Sequence, residues 1–213
     1  MSERTPARPP AVLLRDAARW CVWGTRVVVR GAADLGRLVA GGGLHEAMQP
    51  WMSFETADQV PYAQLARDGV RAVLFDLENT LIPPGGPFTP DGRAIVSAVR
   101  DAGMGIGVVS NCSASWVRPV LDAEGIPFVA PAGKPSPRAF LEGCRMLQVD
   151  PADAVYVGDQ VITDILGAQR AGMRGILLQP RYTSEALSSK AQRALVRLIE
   201  RVWPGDGEKE GQP

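Results

Sequence analysis

The feature that most constrains the fold of this chain is an alternation of short apolar runs with segments of helical periodicity. Apolar runs of about four to eight residues fit strands that are buried on both faces of a parallel sheet. The runs that predict strands are 70–76, 103–111, 127–131, 154–159 and 175–180. The segments that predict the helices between them are 90–101, 113–124, 136–147 and 163–171. The pattern predicts an α/β fold with a Rossmann-like, doubly wound parallel sheet of about five strands.

Composition excludes several classes of protein. The chain has 213 residues, 46% hydrophobic and 22% charged, which is typical of a folded domain with a buried core. Its 23 basic residues balance 23 acidic ones, so we expect no nucleic acid partner. The three cysteines lack metal-ligand spacing, which indicates a reducing compartment, and no apolar stretch reaches the about 18 residues of a spanning helix. We therefore expect a cytoplasmic protein.

The ends of the chain are basic although the total charge is zero. Residues 1–45 contain seven arginines and three acidic residues, a net charge of +4. On a helix, the arginines at positions 15, 19, 26, 30 and 37 would lie within about 60° of one another. A helix over 11–40 with this stripe can bind an anionic membrane surface or a partner, or it can pack on its own domain with its arginines in solvent. The first case would make the protein peripheral to the membrane.

Four segments follow from these patterns. Residues 1–10 are Pro-rich and predict a disordered lead, and residues 11–47 predict a basic amphipathic helical extension. Residues 48–203 hold the α/β domain, which closes with a basic helix over 184–202. Residues 204–213 predict a disordered tail.

Polar residues end the apolar runs or follow them closely. Because ligands of open parallel sheets bind at the carboxyl ends of the strands, we expect these side chains to converge on one crevice. Lys134 is one of only three lysines in the chain. The candidate site residues are Asp76, Glu78, Ser110, Asn111, Lys134, Asp159 and Asp164.

This set predicts a metal and a phosphoryl group. The carboxylates of Asp76, Asp159 and Asp164 would repel one another without a cation, and oxygen ligands select a hard ion such as Mg²⁺. An ammonium and a hydroxyl beside Mg²⁺ suit phosphoryl transfer, which is catalysed mainly by positioning and charge neutralisation. A carboxylate can also attack phosphorus to form an aspartyl-phosphate, and Asp76, at the end of the first run, is best placed to do so.

Four motifs in order resemble those of the haloacid dehalogenase (HAD) superfamily of aspartate-nucleophile phosphatases. They are DLENTL (76–81), VVSN (108–111), GKPSP (133–137) and VGDQVITDILGA (157–168). Together with PW at 50–51, they resemble most closely the YqeG-type branch (HAD subfamily IIIA), which is related to phosphatidylglycerophosphate phosphatases. The resemblance covers about residues 48–180 and implies that residues 48–203 form a HAD-like phosphatase domain acting on a phosphate monoester.

The resemblance also implies a role for each motif residue. Asp76 would be the nucleophile, and Glu78 the acid and base. The phosphate-binding group would be Ser110, Asn111 and Lys134, with Asn111 orienting the loop rather than taking part in bond making. The ligands of Mg²⁺ would be Asp76, Glu78, Asp159 and Asp164.

Glu78 is the one departure from the family pattern, in which an aspartate usually stands two residues after the nucleophile. Glutamate has similar acidity, so it can protonate the leaving oxygen and activate water if the loop accommodates about 1.5 Å of extra reach. The alternative is that Glu78 only caps the turn and that the protein is a non-catalytic phosphate-binding or scaffold protein.

The spacing between motifs bears on the substrate. Asp76 and Ser110 are 34 residues apart, and Ser110 and Lys134 are 24 apart, so each interval holds one helix and no cap domain. A capless HAD core has an open site, which suits phosphatidylglycerophosphate or another large or lipid substrate. The alternative is a nucleotide or sugar phosphatase that is closed by oligomerisation.

One further spacing matches the motif of a different class of phosphatase. Cys112 and Arg118 match the C-x₅-R pattern of cysteine-dependent phosphatases. The intervening residues contain no glycine and predict the first turns of a helix, so we expect Cys112 to lie beside the phosphate site without acting as a nucleophile.

Overall fold

The structure, a computed structural model, describes residues 44–179. Its strands are β1 (Met52–Phe54), β2 (Ala72–Phe75), β3 (Gly105–Val109), β4 (Phe128–Val129), β5 (Ala154–Gly158) and β6 (Arg174–Leu178). Its α-helices are α1 (Leu44–Ala47), α2 (Tyr62–Arg67), α3 (Pro90–Asp101), α4 (Ala114–Asp122), α5 (Pro137–Met146) and α6 (Leu166–Arg170). The predicted lead, most of the predicted extension, the helix over 184–202 and the tail lie outside the described residues.

The six strands form one parallel sheet in the order β1-β6-β5-β2-β3-β4. All five predicted strands are present, and β2 lies between β3 and β5, with Phe75 opposite Val108 on one side and Val157 on the other. The prediction missed the sixth strand, β1, which pairs with the edge strand β6. Three residues are too few to show strand periodicity, so this strand is recognisable only by its pairing.

Helices cover both faces of the sheet, which explains why the strand sequences are apolar throughout. Val73 and Phe75 of β2 pack in the core that contains residues of α2, α3 and α4. Ala72 and Leu74, the alternate residues, pack on the other face with Phe140 of α5. Every residue of β2 is therefore buried, as the doubly wound fold requires.

The two intervals predicted to lack a cap contain no further domain, and the structure describes both in full. α3 and β3 fill the first interval after a loop, and α4 and β4 fill the second. Gly92, in the first turn of α3, lies so close to the Leu81 carbonyl that a Cβ would overlap it. This contact fixes α3 against the turn that follows β2. Among residues 44–179, no helix has the length and hydropathy needed to cross a bilayer.

Candidate active site

Lys134 lies at the centre of the candidate site. Its Nζ donates to Asp76 Oδ1 at 2.8 Å, to Asp164 Oδ1 at 2.7 Å and to the Tyr156 hydroxyl at 2.8 Å. An ammonium has three protons, so each of them has an acceptor. Burial lowers the pKa of Lys134, but Asp164 and Asp76 outweigh this and hold it well above its usual range. Lys134 is therefore a charged residue that joins two carboxylates.

Three carboxylates meet beside this lysine. Oxygens of Asp76, Asp159 and Asp164 lie within 4.8 Å of one another, and Asp159 Oδ1 is buried without a hydrogen-bond partner. Burial, followed by the charges of Asp164 and Asp76, raises the pKa of Asp159 to about 8. Burial also raises the pKa of Asp76 to about 6, against the lowering effect of Lys134. One ammonium does not balance three carboxylates, and the orphaned oxygen and the all-oxygen donors of the cluster fit Mg²⁺.

Asp164 is positioned by an irregular turn rather than by a regular helix. A single π-helical turn, Val161–Ile165, precedes α6, and Asp164 Oδ2 accepts from the backbone N–H of Gln160 at 3.0 Å. The sequence pattern predicted a helix that begins at residue 163, but Thr163 lies inside the π turn with its hydroxyl 3.3 Å from Asp164 Oδ1. An apolar pattern cannot reveal the extra residue of a π turn, so the predicted helix start was wrong.

The two residues that follow β3 have separate roles. Ser110 is buried, and its Oγ accepts from the backbone N–H of Cys112 at 3.2 Å, which leaves the hydroxyl proton to donate elsewhere. The Asn111 side chain binds the backbone of Lys134: Oδ1 accepts from its N–H at 2.8 Å and Nδ2 donates to its carbonyl at 3.4 Å. Asn111 thus holds the loop that carries Lys134, as expected of an orienting residue.

Glu78 lies apart from the three-carboxylate cluster. Its Oε1 accepts from the backbone N–H of Gly85 at 2.6 Å, and its Oε2 accepts from Cys112 Sγ at 3.4 Å. The side chain reaches the Pro/Gly-rich loop over 83–87 and the segment between β3 and α4 that holds Cys112. These contacts keep Glu78 beside the site, and its role as a metal ligand stays a prediction.

Sequence reasoning missed Tyr156 altogether. Tyr156 is fully buried in β5, and its hydroxyl accepts from Lys134 and donates to the Val109 carbonyl at 2.9 Å. It therefore connects the lysine to the last residue of β3. The available signal was a hydroxyl-bearing aromatic residue inside an otherwise apolar strand, which must find a buried partner.

The geometry does not support cysteine-based phosphatase chemistry. Burial and the charge of Glu78 raise the pKa of Cys112 far above that of a free thiol, which opposes formation of a thiolate nucleophile. Arg118 is largely exposed on α4, where its guanidinium lies over the Phe128 ring. Neither group has the environment that this chemistry needs.

Comparison with known proteins supports the resemblance to the HAD superfamily. A family model of HAD-hydrolase-like proteins matches residues 131–201. The chain is 31% identical to the probable phosphatase YqeG of Bacillus subtilis over 137 residues, which cover 64% of this chain and 80% of that protein.

Other similarities are shorter or more distant. The chain is 32% identical to a phosphoglycolate phosphatase of Caulobacter vibrioides over 48% of this chain and 46% of the relative. A HAD phosphatase crystal structure from Thermococcus onnurineus aligns with a TM-score of 0.44 and 16% identity, over 59% of this chain and 97% of that one. The extensive similarity to the Bacillus protein shows that the chain belongs to the HAD superfamily as a HAD-type phosphatase of the YqeG type.

Proposed function

We propose that the protein hydrolyses phosphate monoesters with Mg²⁺ through an aspartyl-phosphate on Asp76. The observation that carries this proposal is the contact between Asp76 Oδ1 and the buried ammonium of Lys134, inside a cluster of three carboxylates. Lys134 binds one oxygen of Asp76 and orients the carboxylate, and the other oxygen, Oδ2, attacks phosphorus.

In the first half of the reaction, a bond forms between Asp76 Oδ2 and phosphorus while the bond from phosphorus to the ester oxygen breaks. Glu78 donates a proton to the leaving oxygen, so the alcohol departs neutral. Ser110 donates its hydroxyl proton to a phosphoryl oxygen, and Lys134 supplies positive charge beside it.

In the second half, Glu78 takes a proton from water, and the water oxygen attacks phosphorus as the bond to Asp76 Oδ2 breaks. This step releases inorganic phosphate and returns Asp76 and Glu78 to their starting protonation states. Asp76 and Asp159 would hold Mg²⁺, with Asp164 beside them. The metal, when bound, would neutralise the carboxylates and stabilise the charge on the phosphoryl oxygens.

The test uses the full chain with Mg²⁺ and p-nitrophenyl phosphate. Asp76→Asn should lower kcat by about 1,000-fold or more, because the nucleophile is lost. Asp101→Asn, at an exposed aspartate that ends α3, is the matched control and should leave kcat unchanged. Removal of Mg²⁺ with EDTA should abolish turnover reversibly, and acid quenching should trap a phosphoenzyme only in chains that retain Asp76.

Two results would contradict this mechanism. Turnover that survives Asp76→Asn would exclude the aspartyl-phosphate. A wild-type chain that binds inorganic phosphate but hydrolyses no ester would favour the alternative of a phosphate-binding or scaffold protein.

For the substrate, we propose a large or lipid phosphate monoester such as phosphatidylglycerophosphate. The intervals without a cap and the predicted arginine stripe at positions 15, 19, 26, 30 and 37 support this choice. The protein would then be cytoplasmic and peripheral to the membrane.

Flotation with anionic vesicles, with and without residues 1–43, tests the membrane contact. Loss of flotation on truncation would support it, and equal flotation of both forms would exclude a role for the stripe. The alternative is a nucleotide or sugar phosphatase closed by oligomerisation. It would be favoured if the chain hydrolysed a nucleotide monophosphate or a sugar phosphate faster than the lipid and if light scattering showed an oligomer.

A further inference from the structure

Each oxygen of the Glu78 carboxylate has its own donor. One donor is the backbone N–H of Gly85, in the exposed loop over 83–87, at 2.6 Å from Oε1. The other is the thiol of Cys112, at 3.4 Å from Oε2. The carboxylate therefore bridges the loop over 83–87 on one side and the segment between β3 and α4 on the other.

This bridge depends on the length of glutamate. Aspartate is shorter by one methylene, about 1.5 Å of reach, and hydrogen bonds weaken steeply when they are stretched by that amount. An aspartate at position 78 could not accept both hydrogen bonds without movement of the loop or of the segment that holds Cys112. Glu78 stands where the family pattern usually has aspartate, and its two hydrogen-bond donors are spaced for the longer glutamate side chain.

Cys112 is well suited to be a permanent donor. It is only 6% exposed, and burial together with the charge of Glu78 raises the pKa of its thiol, so the thiol keeps its proton. Its backbone N–H donates to Ser110 Oγ at 3.2 Å. One residue therefore contacts both the phosphate-binding hydroxyl and the carboxylate that transfers protons.

We propose that Cys112, together with the amide of Gly85, is a positioning residue for Glu78 and makes glutamate, rather than aspartate, the working acid and base of this site. The inference rests on the proposed function, in which Glu78 moves the proton. It implies that restoring the aspartate common in the family lowers activity.

The kinetic test compares substitutions at two buried cysteines. With Mg²⁺ and p-nitrophenyl phosphate, Cys112→Ala should lower kcat by about tenfold with KM within about twofold, because proton transfer is misaligned while phosphate binding persists. Cys112→Ser keeps a donor and should restore kcat to within about threefold of wild type. Cys144→Ala is the matched control, since Cys144 is buried in α5 against Met173, and it should leave kcat unchanged.

A double substitution tests whether the two residues act together. Glu78→Asp should lower kcat by about tenfold, and adding Cys112→Ala to it should lower kcat by less than about twofold more, since the contact is already lost. An equal loss from Cys112→Ala in both backgrounds would overturn the proposal, as would a higher kcat in Glu78→Asp.

Infrared spectroscopy supplies a readout that does not depend on turnover. The S–H stretching band of Cys112, isolated as the difference between wild type and Cys112→Ser, should move to higher frequency in Glu78→Gln as the hydrogen bond weakens. A band that does not move overturns the proposal whatever the activity. If the band moves in Glu78→Gln but the wild-type chain has no phosphatase activity, the proposed function is refuted while the pairing of Cys112 with Glu78 stands.

Discussion

The two halves of the candidate site are held in place by different means. The charge-bearing half, formed by Asp76, Lys134, Asp159 and Asp164, is largely buried, and Lys134 binds the carboxylates of Asp76 and Asp164 directly. The acid-base half, formed by Glu78 and Cys112, lies at the edge of the site and is tied to an exposed loop by one backbone amide. We therefore expect substitutions in the first half to change both stability and activity, and substitution of Glu78 in the second half to change activity with little effect on stability.

Lys134→Met should give the largest effect and test this comparison directly. It leaves Asp76 and Asp164 buried without their cation, so it should cost about 3–5 kcal/mol of unfolding free energy and abolish measurable turnover. Glu78→Gln, its counterpart in the acid-base half, should also lose turnover but change stability by less than about 1 kcal/mol. Urea unfolding of both variants decides the matter, and equal destabilisation would remove the distinction between the halves.

Gly158→Ala should damage the charge-bearing half without removing a charge. A Cβ on Gly158 would overlap the carboxylate of Asp164, so that side chain must move. We expect Mg²⁺ to bind about 10- to 100-fold more weakly, as measured by calorimetry. Gly105→Ala is the control, because its added Cβ would make only an ordinary 3.5 Å contact with Ala72. Similar losses in both variants would point to a general effect of alanine in the sheet.

Proton binding should limit Mg²⁺ affinity in the charge-bearing half. The folded pKa of Asp159, about 8, lies above its unfolded value, so the stability that the bound proton contributes is lost as pH rises from about 4 through 8. Mg²⁺ must displace this proton, so its affinity should rise about tenfold per pH unit between pH 6 and 8 and level off above. Below pH 6 the dependence should steepen, because Asp76, with a pKa of about 6, is protonated too. Affinity that is independent of pH would contradict this account.

Tyr156→Phe should give the smallest effect and sharpen the comparison. It removes only a hydroxyl, leaving one proton of Lys134 and the Val109 carbonyl without this partner, at a cost of about 1–3 kcal/mol in unfolding free energy. Since Lys134 keeps both carboxylates, kcat should fall far less than in Lys134→Met. Thermal unfolding and kinetics on the same samples measure both effects, and an unchanged melting temperature would show that the hydroxyl contributes nothing to the fold.

Most residues of the charge-bearing half could be predicted from the sequence, but the contacts that hold Glu78 in the acid-base half could not. Asp76 and Asp159 each follow a buried strand directly, so topology alone brings them to one edge of the sheet. The contacts of Glu78 with Gly85 and Cys112 depend on the path of a loop and on one side-chain conformation, which no periodic pattern records. Tyr156 could not be predicted for another reason. In the sequence, a tyrosine inside an apolar strand cannot be distinguished from any other aromatic core residue until the partner of its hydroxyl is known.

The three hydrogen bonds of Lys134 decide how this protein would treat phosphate. Every proton of the ammonium already has an acceptor, so a phosphoryl oxygen can reach it only by replacing one of them. Free phosphate gains little from such an exchange. In the proposed mechanism, a phosphoryl group that is becoming bonded to Asp76 would gain more, because the carboxylate would lose its charge as the bond forms and would release the lysine. We therefore expect a centre arranged in this way to release inorganic phosphate readily rather than to retain it as a receptor would.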